Sequence, residues 1–296
     1  MALTAELKQY HQGVLALRQS QYLNWPAHVH LETLAQCNAA CSFCPYPVLQ
    51  RQGEKMPDAL IEKVLQDLTA IPRGLPFQLS PFKVNEPFLD NRLFDILGAI
   101  NHKLPNASIT LTTNSTPITA KKLAQLAQVK KLGYLWISVN GHREVEYEKT
   151  MVLPYKRTME RLDMIHAAKS RGELPFRVVL SRVGDGTAAD TEFVAWMKQR
   201  FALFETAVFQ RGGWIGQVDV PQIDVPDVGC MRWFELSITA TGVVAHCCMD
   251  GQAAYPLGDV NTQHVLDIYN APAYRQLRER QQSRLGAAPC NQCCFL

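Results

Sequence analysis

Cys37, Cys41 and Cys44 fall within one short run, Gln36-Cys-Asn-Ala-Ala-Cys-Ser-Phe-Cys-Pro45. The spacing is CxxxCxxC, which supplies three thiolates close together and no fourth, since the next cysteine is Cys230. Structural zinc usually takes four closed ligands. An iron–sulfur cluster held by three protein thiolates keeps one iron open to a further ligand, and an open iron is where chemistry can occur. A second group lies near the C-terminus: Cys230, Cys247, and the pair Cys290 and Cys293. Those four make a complete set, suited to a closed iron–sulfur cluster or to a four-thiolate zinc site. Cys248 and Cys294 each directly follow a member of it. Either could replace its neighbour as ligand, fill the core as a small hydrophobe, or return a hydrogen atom to a substrate radical. His246 and Asp250 flank Cys248 in the same loop and favour it for the last role.

The elements that must position these residues alternate between strand and helix. His28 to Leu34 reads as a strand that leads into the cysteine run. Further strands are expected at Phe77–Phe82, Ser108–Thr113, Tyr134–Val139, Phe176–Ser181 and Ala207–Gln210. Helices are expected at Pro57–Leu68, Leu93–Asn101, Ala120–Val129, Tyr155–Arg171 and Thr191–Arg200. The pattern is about six βα units, hence α/β with a parallel sheet and helices outside. Ligand sites of such folds gather at the carboxyl ends of the strands. The cysteine run, Asn85-Glu86-Pro87, Asn114, Asn140 and Arg182 all follow predicted strands and could converge there. Residues 212–229 read as a linker. A hairpin over Phe234–Ala245, turning at Thr241-Gly242, and one helix near Val265–Arg284 complete the chain. Arg275, Arg278, Arg280 and Arg284 are expected on a solvated helix face.

With 296 residues and 47% hydrophobic content the chain can bury a large core, and its net charge of +3 is no nucleic-acid-binding excess. No apolar run approaches the ~20 residues of a membrane span, and the first residues contain no signal peptide. A cytoplasmic protein is expected, in which nine cysteines point to metal rather than disulfides.

The CxxxCxxC run after a strand, with Phe43 before its third cysteine, resembles the signature of the radical S-adenosylmethionine (radical SAM) superfamily. The resemblance implies a partial (β/α)6 TIM-like barrel over residues 1–211. It also implies a 4Fe–4S cluster on Cys37, Cys41 and Cys44, and SAM on the open iron. Val84-Asn85-Glu86-Pro87 resembles the family's Gly-Glu-Pro segment, with Asn85 in place of glycine, which implies Glu86 on the SAM ammonium. Asn114, Ser138 and Asn140 resemble strand-end residues near ribose and methionine, and Arg182 could pair with the SAM carboxylate. The pattern Cys230-x11-Gly242-x4-Cys247, followed by Cys290-x2-Cys293, resembles the SPASM/twitch extension over residues 230–296. It implies one auxiliary 4Fe–4S cluster in a small hairpin-plus-helix unit.

Such an enzyme cleaves SAM to a 5′-deoxyadenosyl radical that abstracts a substrate hydrogen. A flavodoxin- or ferredoxin-like protein is the implied electron donor. A single fully ligated auxiliary cluster suggests oxidation of a carbinol in a small polar molecule such as a sugar or aminocyclitol. Cys248 and Cys294 keep a radical epimerase open. Peptide modification ranks third, because the stretch before His28 is too short for a leader-peptide-binding domain.

Overall fold

Val29 and Leu31 are fully buried, while His28 and His30 between them face the other way along the same short strand. That alternation sets an apolar face against helices and a polar face toward the interior. The computed structural model describes residues 4–210, 212–219 and 224–295. A helix α1 (Ala5–Arg18) precedes β1 (His28–Leu31). There follow α2 (Asp58–Leu68), β2 (Phe77–Ser80), α3 (Leu93–Lys103), β3 (Ala107–Thr113), α4 (Ala120–Ala127) and β4 (Leu132–Ser138). Helices α5 (Glu144–Met151) and α6 (Tyr155–Ser170) lead to β5 (Arg177–Gly184), α7 (Ala188–Arg200) and β6 (Glu205–Gln210). The extension holds β7 (Glu235–Ile238), β8 (Val243–Ala245), β9 (Pro256–Asp259), α8 (Val265–Tyr269) and α9 (Pro272–Arg280).

All six βα strands form as expected, within a few residues at their ends. They pair in parallel in the order of the chain, β1 through β6. Among the described residues the barrel does not close: β6 ends one side of a nine-stranded sheet of order β6-β5-β4-β3-β2-β1-β7-β8-β9. Helix α2 shows how the layers join. Leu60, Ile61, Val64, Leu65 and Leu68 recur at helical spacing and pack into the main core.

The extension continues the sheet. β7 pairs with β1 in parallel, setting His28 beside Glu235 and His30 beside Ser237. β8 and β9 then add antiparallel. The turn between β7 and β8 needs Gly242, at φ +90°, where a Cβ would collide with the Asn261 side chain. Residues 220–223 of the expected linker, and Arg211 and Leu296 at the expected domain limits, lie outside the described residues.

Three features differ from expectation. Helices α1 and α5 form from segments with little amphipathic pattern. The expected helix over 265–284 is broken before Pro272, whose ring cannot continue it. Arg278 and Arg284 are fully buried. Arg278 lies 3.7 Å from the Tyr269 ring centre and donates to the Tyr269 carbonyl at 2.7 Å. Arg284 donates to the Tyr10 hydroxyl at 3.0 Å and to the Gly229 carbonyl at 3.3 Å. Their partners include α1 and the segment before β7, which the helix pattern alone does not place nearby.

Candidate active site

Glu32, one step beyond β1, joins the parts that frame the site. Its carboxylate takes both Nε (2.6 Å) and Nη2 (3.0 Å) of Arg51, and accepts the Val84 and Ala240 amides at 3.1 Å each. Arg51 also donates to the Gly251 carbonyl at 2.5 Å. The segment after the cysteine run, the loop after β2 and the extension are thus held on one fully buried carboxylate.

The cysteine run is fixed from both sides. Ser42 N–H donates to the Thr150 carbonyl at 3.0 Å, and Asn114 Nδ2 donates to Asn38 Oδ1 at 2.8 Å. Cys37, Cys41 and Cys44 open into one cavity of about 440 Å³ at the carboxyl ends of the strands. Burial pushes the Cys37 thiol up to about 12 and Cys44 to about 11, and pushes Cys41 up as well. Thiols so raised become thiolates only where a bound cation displaces their protons.

Of the other expected residues, Phe43, Asn85, Glu86, Asn114 and Ser138 line this cavity. Glu86 is 1% exposed. It accepts the Phe88 amide (3.1 Å), the Thr113 hydroxyl (2.8 Å) and the Asn114 amide (2.7 Å). Burial raises its carboxyl to about 7, against those three hydrogen bonds. Asn85 Nδ2 is buried with no partner among the described residues. A buried carboxylate and an unused donor in one wall fit a ligand carrying both an ammonium and a carboxylate.

Asn140 and Arg182 lie behind the wall. Asn140, at φ +66°, donates to Ser138 Oγ at 2.7 Å and accepts the Val183 amide at 2.7 Å. Arg182 is committed to Glu146 (2.7 Å), Asp190 (2.7 Å) and Asp185 (3.1 Å) and does not line the large cavity.

Cys230, Cys247, Cys290 and Cys293 line a second, small cavity, which neither Cys248 nor Cys294 lines. Cys248 faces the large cavity, and Cys294 lines neither. Two ligands on one zinc ion lie at most about 4.6 Å apart, given Zn–S of about 2.3 Å. Among the described residues, His28, His30 and Glu235 form the one group of three ligand atoms within 4.8 Å. Among the described residues, no three sulfurs of either cysteine set lie within that spacing of one another.

Hydrogen-bond donors surround the second set. Trp233 Nε1 donates to Cys290 Sγ at 3.3 Å, His246 Nε2 lies 3.2 Å from the same sulfur, and the Tyr10 hydroxyl lies 3.8 Å from Cys230 Sγ. Burial pushes the Cys290 thiol up to about 11, and the Trp233 N–H opposes the shift. Donors to ligand sulfur raise a cluster's potential. Trp233→Phe is expected to shift the auxiliary cluster to a more negative potential, read by a redox titration followed by electron paramagnetic resonance. An unchanged potential would show that the contact has no electronic effect.

The pattern of residues did not single out His28, His30, Ser80, Thr110 or Arg232, which also line the large cavity. A signal existed: polar residues at 28, 30 and 32 alternate with apolar ones at 29 and 31.

Residues 230–294 match SPASM, an iron–sulfur cluster-binding domain. The S-adenosyl-L-methionine-dependent 2-deoxy-scyllo-inosamine dehydrogenase of Niallia circulans is 23% identical over 254 residues, 85% of this chain and 85% of that protein. BtrN in complex with AdoMet and 2-DOIA superposes with a TM-score of 0.62 at 18% identity, covering 90% of this chain and 92% of that one. Streptococcus suis SuiB bound to its precursor peptide SuiA gives 0.65 at 14% identity, covering 99% of this chain and 76% of that one. The anSMEcpe enzyme with bound AdoMet gives 0.64 at 12% identity, covering 87% and 82%. No helix among the described residues is long and apolar enough to cross a membrane.

Proposed function

We propose that this chain, a radical SAM enzyme with a C-terminal SPASM iron–sulfur domain, is a dehydrogenase that oxidises a ring carbinol of a small aminocyclitol-like substrate. One observation carries the reading. Arg232, Met249 and Phe295 line both the large cavity and the cavity of the second cysteine set. A substrate in the large cavity would have the three-cysteine site on one side. On the other, a single layer of side chains would separate it from the four-cysteine site.

Cys37, Cys41 and Cys44 would hold the SAM-binding cluster, and Cys230, Cys247, Cys290 and Cys293 the auxiliary one. When bound, these groups supply a 5′-deoxyadenosyl radical that takes one hydrogen atom and a centre that accepts one electron. Glu86 would hold the SAM ammonium, and Asn85, Asn114 and Ser138 would orient the rest of the molecule. A flavodoxin- or ferredoxin-like donor would supply the starting electron. The remaining wall carries the Ser80 and Thr110 hydroxyls, Trp136 and Arg232. It suits a compact ring bearing several polar groups.

The test is anaerobic turnover of the reconstituted protein with SAM and 2-deoxy-scyllo-inosamine. A product lighter by two hydrogens, with one SAM consumed per turnover, is expected. An isomer of unchanged mass would sink the reading. Cys248 faces the cavity, so the same assay tests it as a hydrogen donor: Cys248→Ala is expected to keep ketone formation within about threefold, since its thiol takes no part.

A further inference from the structure

His28 and His30 of β1 meet Glu235 of β7 at the wall of the large cavity. His30 Nε2 lies 3.2 Å from Glu235 Oε2, and His28 Nδ1 lies 4.0 Å from Oε1. The two imidazole centres are 4.0 Å apart. Arg232 Nη1 donates to Glu235 Oε1 at 2.7 Å. On the far side, His28 Nε2 lies 2.7 Å from Ser80 Oγ, which is hydrogen-bonded to the Thr110 hydroxyl. His30 is 8% exposed, and its Nδ1 has no partner among the described residues.

Two histidines and a carboxylate could suggest a metal site. The Arg232 guanidinium argues against one, because it already supplies the balancing cation at Glu235 and would repel a divalent ion there. Burial by itself would raise the Glu235 carboxyl, but the Arg232 guanidinium and the hydrogen bond to His30 override it and hold it well below the usual carboxylate range. Burial, with His30 beside it, holds His28 well below the usual imidazole value, so it is neutral at pH 7. A neutral imidazole backed by a fixed carboxylate is the standard arrangement for receiving a proton. The other ionisable groups of this wall are less suited. Lys83 donates to the Asp250 carbonyl at 2.7 Å, Glu86 already accepts three hydrogen bonds and faces the proposed SAM ammonium, and burial pushes the Cys248 thiol up to about 11.

We propose that the His28–His30 pair, backed by the Glu235–Arg232 ion pair, accepts the proton of the substrate carbinol. The assignment rests on the dehydrogenase reading. After the carbinol carbon has lost its hydrogen atom, the O–H bond breaks and its proton passes to an imidazole lone pair. The carbon–oxygen bond becomes a carbonyl. The one electron left over would be taken up by an oxidised 4Fe–4S cluster held by Cys230, Cys247, Cys290 and Cys293. His30 Nδ1 is itself buried, so the proton reaches the pair through Ser80 Oγ to His28 Nε2, 2.7 Å away, and the imidazolium formed lies beside His30 and the Glu235 carboxylate. Glu235 acts through the histidines and is a positioning residue.

Two measurements on the reconstituted full chain test this. The first is the number of 5′-deoxyadenosine molecules formed per ketone with 2-deoxy-scyllo-inosamine. In His28→Gln, His30→Gln and the double variant that number is expected to rise roughly tenfold or more, because abstraction continues while oxidation stalls. Ratios equal to the wild type would overturn the proposal. The second needs no turnover and no histidine variant: imidazole 15N spectra of the oxidised protein at pH 7. His28 is expected neutral, with a signal that moves in Glu235→Gln. A doubly protonated His28 would overturn the proposal, since it could accept nothing. Wild-type protein that makes deoxyadenosine but no ketone would sink the dehydrogenase reading, and the assignment with it.

Discussion

Cys41→Ala is expected to abolish 5′-deoxyadenosine formation while the protein keeps about half its iron, roughly four of eight atoms per chain. The sulfur of Cys41 lies 3.6 Å from Met151 Sδ, and burial raises its thiol. Removing it leaves two thiolates for a cluster that needs three. The four-cysteine site lies in a separate cavity and is expected to assemble unchanged. The protein should remain brown, with its auxiliary-cluster signal intact and no SAM cleavage. Iron analysis together with chromatography of the SAM products makes the check. Undiminished deoxyadenosine would place the radical-forming cluster elsewhere.

The second large effect concerns Glu86. Glu86→Gln is expected to weaken SAM binding by about 10- to 100-fold, the loss of one charge-assisted hydrogen bond of ~1.5–3 kcal/mol. The substitution also turns an amide N–H toward one of three donors that now meet a carboxylate. Thermal melts should therefore show a loss on the order of 1–3 kcal/mol. Calorimetric SAM titration below the melting range separates the two effects.

A pH dependence follows with a definite sign. The Glu86 carboxyl is raised to about 7 by burial, so it carries charge only above that pH. SAM affinity is expected to fall as pH drops through about 7, and Glu86→Gln should flatten that dependence. Without ligand the sign reverses. A raised carboxyl favours the protonated folded state, so the ligand-free protein loses stability as pH rises from about 4.5 toward 7. A flat wild-type affinity profile would remove Glu86 from the ammonium site.

Much of this was legible in the order of residues. CxxxCxxC is a local pattern, and local spacing alone puts three thiolates in one loop. The βα alternation follows from hydrophobic period, which short segments express on their own. Cys230, Cys247, Cys290 and Cys293 could be grouped because a hairpin and a closing turn are also local devices. Phe43, Asn85, Glu86, Asn114 and Ser138 line one cavity because strand ends of a parallel sheet share one side.

Tertiary structure decided what depends on pairing between distant segments. Arg182 follows a strand, as a ligand residue would, yet three carboxylates from nearby segments capture it. Cys248 and Cys294 each follow a proposed ligand, with Cys248 favoured by its neighbours, and of the two only Cys248 faces the large cavity. Arg278 reads as a surface charge until α9 packs it over Tyr269. His28, His30 and Glu235 carry no motif in sequence and lie some two hundred residues apart. They meet because β7 adds to the sheet in register with β1. Residue spacing thus determined which chemistry the chain could start. The sheet register, a choice among many pairings that hydrogen bonding alone would allow, decided which side chains line the large cavity.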